Sequence, residues 1–251
     1  MNRRRRAVQE LALAGTRLCG TRASGLAASL MVVLTCLAMP ACKRAADAGK
    51  TLPESPKAVP GSRAQAKRED TLIQQAASNC GQRIQEAARD HAANAKQVQE
   101  AKVLDMEQVT QREQLETKRE EVRKFLASNQ SLKSLLVSEE AAFKEELAKL
   151  NLPPARAESA VKGFRSSIQG KAVAILMRDA DQRIGSSLLG ALDFLDEIWG
   201  QWNYNKEYDQ VQFSPPGALK KYNDFMKAIE AASKEQQELQ AQLKAAGNRG
   251  P

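Results

Sequence analysis

Between Glu69 and Ser128 the sequence repeats every seven positions along one side of a helix. One series is Ile73, Cys80, Ala87, Asn94, Ala101, Gln108, Leu115 and Val122, and its partner is Ala77, Ile84, His91, Val98, Asp105, Arg112, Arg119 and Leu126. Residues three and four apart share a helical face, so the two series form one seam. The stretch holds no proline and one glycine, Gly81, and predicts an uninterrupted amphipathic helix. Its seam is polar from Asp105 to Arg119, which predicts a solvated middle and a helix leaning on others rather than a strict two-stranded coil.

After a break expected at Ser128 to Ser131, a second helix carries Leu132, Leu135, Leu136, Phe143, Leu147 and Leu150 and ends at Asn151 to Pro154. Pro153 and Pro154 suit the first turn of a third helix, where proline lacks only an amide that would be unpaired. Its apolar positions are Val161, Phe164, Ile168, Ile175, Ile184, Leu188, Leu192, Leu195 and Trp199. Gly163, Gly170, Gly185 and Gly190 punctuate it, as close-packing points or as a break near Arg183 to Ser186. From Trp202 to Phe213, turn-forming Asn203 and Asn205 and the alternation of Val211, Gln212 and Phe213 predict a small hairpin. Ser214, Pro215 and Pro216 then open a last helix through Leu219, Tyr222, Phe225, Met226 and Ile229 to about Ala245. The expected fold is all-α, an elongated antiparallel bundle of four helices over residues 69–247, with residues 248–251 as a disordered tail.

The N-terminal part follows a different pattern. The first 22 residues are arginine-rich, residues 23–41 carry no charge, and small residues precede Cys42. This is the three-part layout of an export signal, with an apolar centre from Leu26 to Met39 shorter than the roughly 20 residues that span a bilayer. From Lys43 to about Arg68, prolines 53, 56 and 60 and glycines 49 and 61 lie among small and charged residues, which predicts a disordered tether from 42 to 68.

Leu37, Ala38, Met39, Pro40, Ala41 and Cys42 resemble the lipobox of bacterial lipoproteins, with a small residue before the cysteine and an aliphatic residue three before it. Pro40 departs from the common pattern. The resemblance implies a diacylglyceryl group on the Cys42 sulfur, cleavage before Cys42 and acylation of the new amino group. An uncleaved signal anchor, or cleavage without lipid, stays open, and each of these places the rest of the chain outside the cytoplasm. The expected location is the cell envelope with a periplasm-facing domain; if the cell has two membranes, Lys43, standing where the inner-membrane retention signal has an aspartate, favours the outer one over the inner.

Charge and composition narrow the function classes. The net charge is +8, but six arginines and Glu10 precede Cys42; without them 38 basic and 30 acidic residues fall to 32 and 29, a net +3. That balance, with acids and bases interspersed, excludes a phosphate-binding surface, and no nucleic-acid partner is expected. An aromatic fraction of 4% beside abundant Ala, Gln, Lys, Glu and Leu suits long helices.

Candidate chemistry is sparse. Cys80 is the one cysteine after Cys42 and reads as a small apolar packer, with an intermolecular disulfide, and so a homo-oligomer, left open. His91 is the single histidine, about 16 Å along the helix from Cys80, so these two cannot build a zinc site in one chain. It is expected as a packed or half-exposed helix residue. Without a second histidine, hydrolytic triads are not expected; no enzyme, cofactor or metal is inferred. Asp193, Asp196 and Glu197 share a helix face near Trp199 and Trp202, as a solvated or salt-bridged face rather than an acid pair across a cleft. Trp199, Trp202, Tyr204, Tyr208, Phe213, Tyr222 and Phe225 are seven of the eleven aromatics. They predict either an aromatic knot capping the bundle or a surface for a partner or ligand.

The segment Trp199 to Phe225 also resembles the closing part of uncharacterised, mostly helical YiaF-like lipoproteins of enterobacteria, with Tyr222 and Asn223 as the matching pair. It covers about 30 residues and implies no activity. The functional expectation is a lipid-anchored scaffold or adaptor of the cell envelope that binds another envelope protein; a ligand-binding or inhibitor module using residues 199–225 is the alternative.

Overall fold

The computed structural model describes residues 60–168 and 170–248. The expected signal, Cys42 and the tether before Pro60 lie outside the described residues. Within them the chain forms five helices and one hairpin: α1 (Pro60–Glu100), α2 (Arg112–Ala148), α3 (Pro154–Ser167), α4 (Lys171–Glu197), β1 (Trp202–Asn205), β2 (Gln210–Phe213) and α5 (Ala218–Asn248). The fold is all-α, and helices packed on helices make its core. Among the described residues no helix is long and apolar enough to cross a membrane.

The long amphipathic helix expected from Glu69 to Ser128 is two antiparallel helices. Helix α1 stops at Glu100, and Lys102 takes a left-handed conformation (φ 44°) that turns the chain without glycine. The Lys118 ammonium of α2 donates to the carbonyls of Ala101 (3.0 Å) and Lys102 (2.7 Å), satisfying acceptors a helix end would leave bare and placing a cation at the negative end of its dipole. Val103, Met106 and Val109 bury the connection. The Gln114 side chain accepts the amides of Thr110 (2.7 Å) and Gln111 (2.9 Å) and starts α2. The polar stretch in the seam therefore marks a reversal of the chain, not a solvated helix middle. Helix α1 also begins at Pro60, so residues 60–68, assigned to the tether on composition, belong to it.

No break occurs at Ser128 to Ser131. Helix α2 runs through it, with Phe125, Asn129 and Leu132 all buried. It ends where Asn151 turns left-handed (φ 51°) ahead of the prolines. The expected third helix is instead two, α3 ending at Ser167 and α4 starting at Lys171. No break lies at Arg183 to Ser186, because Gly185 and Gly190 are close-packing points. A β-carbon on Gly185 would lie 2.5 Å from Leu126 Cδ2, and one on Gly190 2.7 Å from Phe225 Cε1.

Helix α4 is the central element, packed against α2 on one side and α5 on the other, while α1 lies against α2. Partners such as Arg112 with Asp196 and Lys133 with Asp179 show α2 and α4 running antiparallel, and Lys221 with Glu197 and Gln236 with Asp181 show the same for α4 and α5. The largest apolar cluster, including Val98, Met106, Leu115, Leu188, Leu192 and Ile229, lies at the hairpin end. Two smaller ones follow along the bundle, around Ile84, Leu132 and Leu136, then around Cys80, Phe143 and Phe164. Leu243 of α5 approaches Gly170, so α5 finishes toward the end where α1 begins.

Candidate functional site

The hairpin forms as its alternation dictates. Trp202 pairs with Phe213 and Tyr204 with Val211, so these four side chains share one face, which packs on the large apolar cluster; Asn203 and Gln212 face water. In the turn, Asn205 Oδ1 accepts the amides of Glu207 (2.9 Å) and Tyr208 (3.2 Å), and Asp209 takes a left-handed conformation (φ 49°). The Tyr204 hydroxyl donates to Asp209, and this bond to a carboxylate pushes the phenol up to about 12.

Around this face the aromatics lock onto the helix ends. The Trp202 indole donates to the Leu195 carbonyl (2.8 Å) and meets Trp199 edge to face at 5.5 Å. Phe213 lies 5.3 Å from Tyr222 and 6.2 Å from Phe194, and Phe225 lies 6.5 Å from Phe194 over Gly190. Burial raises the Tyr222 phenol to about 12. Lys221 sits 4.4 Å above the Phe194 ring. Of the seven aromatics, Tyr208 alone is exposed, 63% open at the hairpin tip. Asn223 lines a shallow open depression beside the start of α5 with Gly217, Leu219, Lys220, Asp224 and Lys227.

The acidic triplet is paired with bases. Arg112 grips Asp196 through two nitrogens, and Arg119 bridges Asp196 (3.0 Å) and Asp193 (3.3 Å), tying the start of α2 to the end of α4. The Arg112 hydrogen bonds hold the Asp196 carboxyl below the usual carboxylate range. Glu197 points the other way, to Lys221 at 3.3 Å. Cys80 is buried and free, its thiol pushed up by burial.

The polar constellation that sequence reasoning missed lies in the interior. His91, expected as packed or half-exposed, is fully buried, with Nε2 3.1 Å from Asp181 and Nδ1 3.2 Å from the Ser128 hydroxyl. The Asp181 carboxylate is also ion-paired with Arg178 (2.9 Å) and accepts the Gln236 amide, while Asn129 donates to the Arg178 carbonyl (2.8 Å). Four helices thus contribute to one largely buried polar layer between the large apolar cluster and the Ile84 cluster. Its signal was a gap in the apolar series of α4 between Ile175 and Ile184, which holds Arg178 and Asp181. Among the described residues no three His, Cys, Asp or Glu side chains are grouped to hold a metal ion.

Fold and sites define a helical bundle with an aromatic hairpin cap and a buried ionic layer. Comparison with known proteins finds no matching family model, no matching curated protein and no matching solved structure.

Proposed function

We propose that this chain is a lipid-anchored helical scaffold or adaptor of the cell envelope, exported, held at a membrane through Cys42, facing the periplasm and binding another envelope protein. The observation that carries the reading is the arginine-rich start, the uncharged stretch of residues 23–41 and the lipobox-like ending at Cys42. A scaffold suits a domain whose polar chemistry is largely spent on structure: Asp193, Asp196 and Glu197 are held by bases, and His91, Arg178 and Asp181 are buried. Labelled palmitate fed to growing cells is expected to enter the wild-type chain and not Cys42→Ala. An unlabelled, full-length wild-type precursor would sink the anchor. A photo-crosslinker in place of Tyr208 then tests for a protein partner at the hairpin tip.

The ligand-binding alternative rests on exposed Tyr208 and the depression beside Asn223. It expects a thermal shift with some envelope ligand, reduced by Tyr208→Ala or Asn223→Ala. Trp202→Ala belongs in the same set, and a shift that none of the three alters counts against this reading.

A further inference from the structure

The apolar core is interrupted at one level, where α1, α2, α4 and α5 meet around His91. Helix α1 brings His91, α2 brings the neutral side chains Ser128 and Asn129, α4 brings Arg178 and Asp181, and α5 brings the neutral Gln236 and Ser233. Arg178 and Asp181 are the charged groups that act on His91. With a neutral imidazole the layer holds one cation and one anion, and it is balanced. The arginine already takes up the carboxylate, and neither of its terminal nitrogens makes a well-directed hydrogen bond. A second cation here has no second anion to meet.

Hydrogen-bond geometry lets the layer exist in two protonation states. Ser128 Oγ lies 2.9 Å from the Phe125 carbonyl and 3.2 Å from His91 Nδ1, and it has one hydrogen to give. With His91 neutral, Nε2–H faces Asp181 and Ser128 donates to Nδ1. With His91 charged, Nδ1–H donates to Ser128, whose hydrogen turns to the Phe125 carbonyl. No hydrogen bond is lost, so what opposes the proton is the buried net charge. Burial accordingly holds His91 below its ordinary proton affinity.

Helix α1 is held by small side chains on one main partner. Apart from His91 it buries Ala76, Cys80, Ile84, Ala95 and Val98, mostly small side chains, and its main packing partner is α2 alone. We propose that α1 is a releasable helix latched by the His91–Asp181 contact, and that proton uptake by His91 lifts it from α2 and α4. Its release uncovers the apolar face formed by Leu132, Leu136, Phe143 and Ala174, which α1 covers through Ile84, Ala76 and Cys80. This mechanism holds whether or not Cys42 carries lipid.

Hydrogen exchange on the full chain in detergent micelles tests it, at about pH 7.5 and about pH 5.5, either side of the ordinary histidine range, with intrinsic exchange rates divided out. With an ordinary histidine affinity in the released state, one proton favours release by at most about tenfold between these two pH values, so α1 is expected to exchange several-fold and up to about tenfold faster in acid, with α4 and α5 unchanged. In His91→Gln, whose amide can still donate to Asp181, the acid response is expected to vanish. Loss of protection in α1 and α4 together, no acid response in the wild type, or an undiminished response in His91→Gln would each overturn the proposal. A second reading needs no variant. His91 is the chain's single histidine, so its ring C2 proton is identifiable by NMR, and it is expected to titrate at the midpoint of α1 release. An imidazole already charged at about pH 7.5, or one titrating apart from the exchange, contradicts the latch.

Discussion

Two glycine substitutions separate helix propensity from close packing. Gly163 lies in α3 with nothing within 4 Å of where a β-carbon would stand, whereas Gly185 lies in α4 against α2, where a β-carbon would be 2.5 Å from Leu126 Cδ2, 2.8 Å from Leu126 Cγ and 3.2 Å from Phe125 Cδ1. Replacing glycine by alanine within a helix gains roughly 0.8–1.0 kcal/mol of propensity at either position. At Gly163 nothing opposes that gain, so Gly163→Ala is expected to stabilise by about 1 kcal/mol. At Gly185 the new methyl sits far inside van der Waals distance of two adjacent α2 residues, so turning one side chain does not clear it. Overpacking of this kind costs about 1–3 kcal/mol, and contacts this short belong to its upper part. Gly185→Ala is then expected to destabilise by about 1–2 kcal/mol once the propensity gain is subtracted. The two variants should differ by about 2–3 kcal/mol in urea unfolding, or roughly 5–10 °C in Tm for a domain of this size. A difference below about 1 kcal/mol would refute the close-packed reading of the α2–α4 crossing.

Further expectations concern the polar layer and the hairpin. Asp181→Asn keeps the shape of the side chain but leaves the Arg178 guanidinium buried without an anion, and should cost about 3–5 kcal/mol in chemical denaturation. Because burial lowers the His91 proton affinity in the folded state, the unfolded chain binds more protons below about pH 6.5. Stability present in full above that pH should therefore fall on acidification, before the carboxylates titrate, and a slope unchanged in His91→Gln would assign the effect elsewhere. Trp202→Phe loses the bond to the Leu195 carbonyl and part of the indole's packing against the core, an expected cost of about 1–3 kcal/mol by urea titration. Tyr208→Ala, at an exposed tip, should leave stability within about 0.5 kcal/mol.

Local signals were legible where the residues that form an element also lie within it. Alternation of Trp202 and Tyr204 with asparagines suffices for the hairpin, and Pro153 and Pro154 mark the start of α3. The reversal after Glu100 was illegible because its turning residue is a lysine and its carbonyls are satisfied by Lys118, sixteen and seventeen positions onward. Ser128 and Asn129 looked like a helix break because serine and asparagine compete with helical hydrogen bonds. They serve instead as polar core residues of an unbroken helix, a role that needs His91 and Arg178 brought close by tertiary packing. The acidic triplet could be read as salt-bridged, but not its partners Arg112 and Arg119, which lie more than seventy positions upstream.

The chain's entry into the bundle fixes a measuring scale. Helix α1 has 41 residues, about 60 Å of axial rise, and it leads from the end near α3 to the end closed by the hairpin. Helix α5 returns toward the starting end, where Leu243 meets Gly170. A fluorophore at Tyr208 and another near Ala245 would therefore report opposite ends of the molecule. Paired with a dye in the bilayer, they turn the orientation of the bundle on a membrane, upright or lying flat, into a difference between two distances.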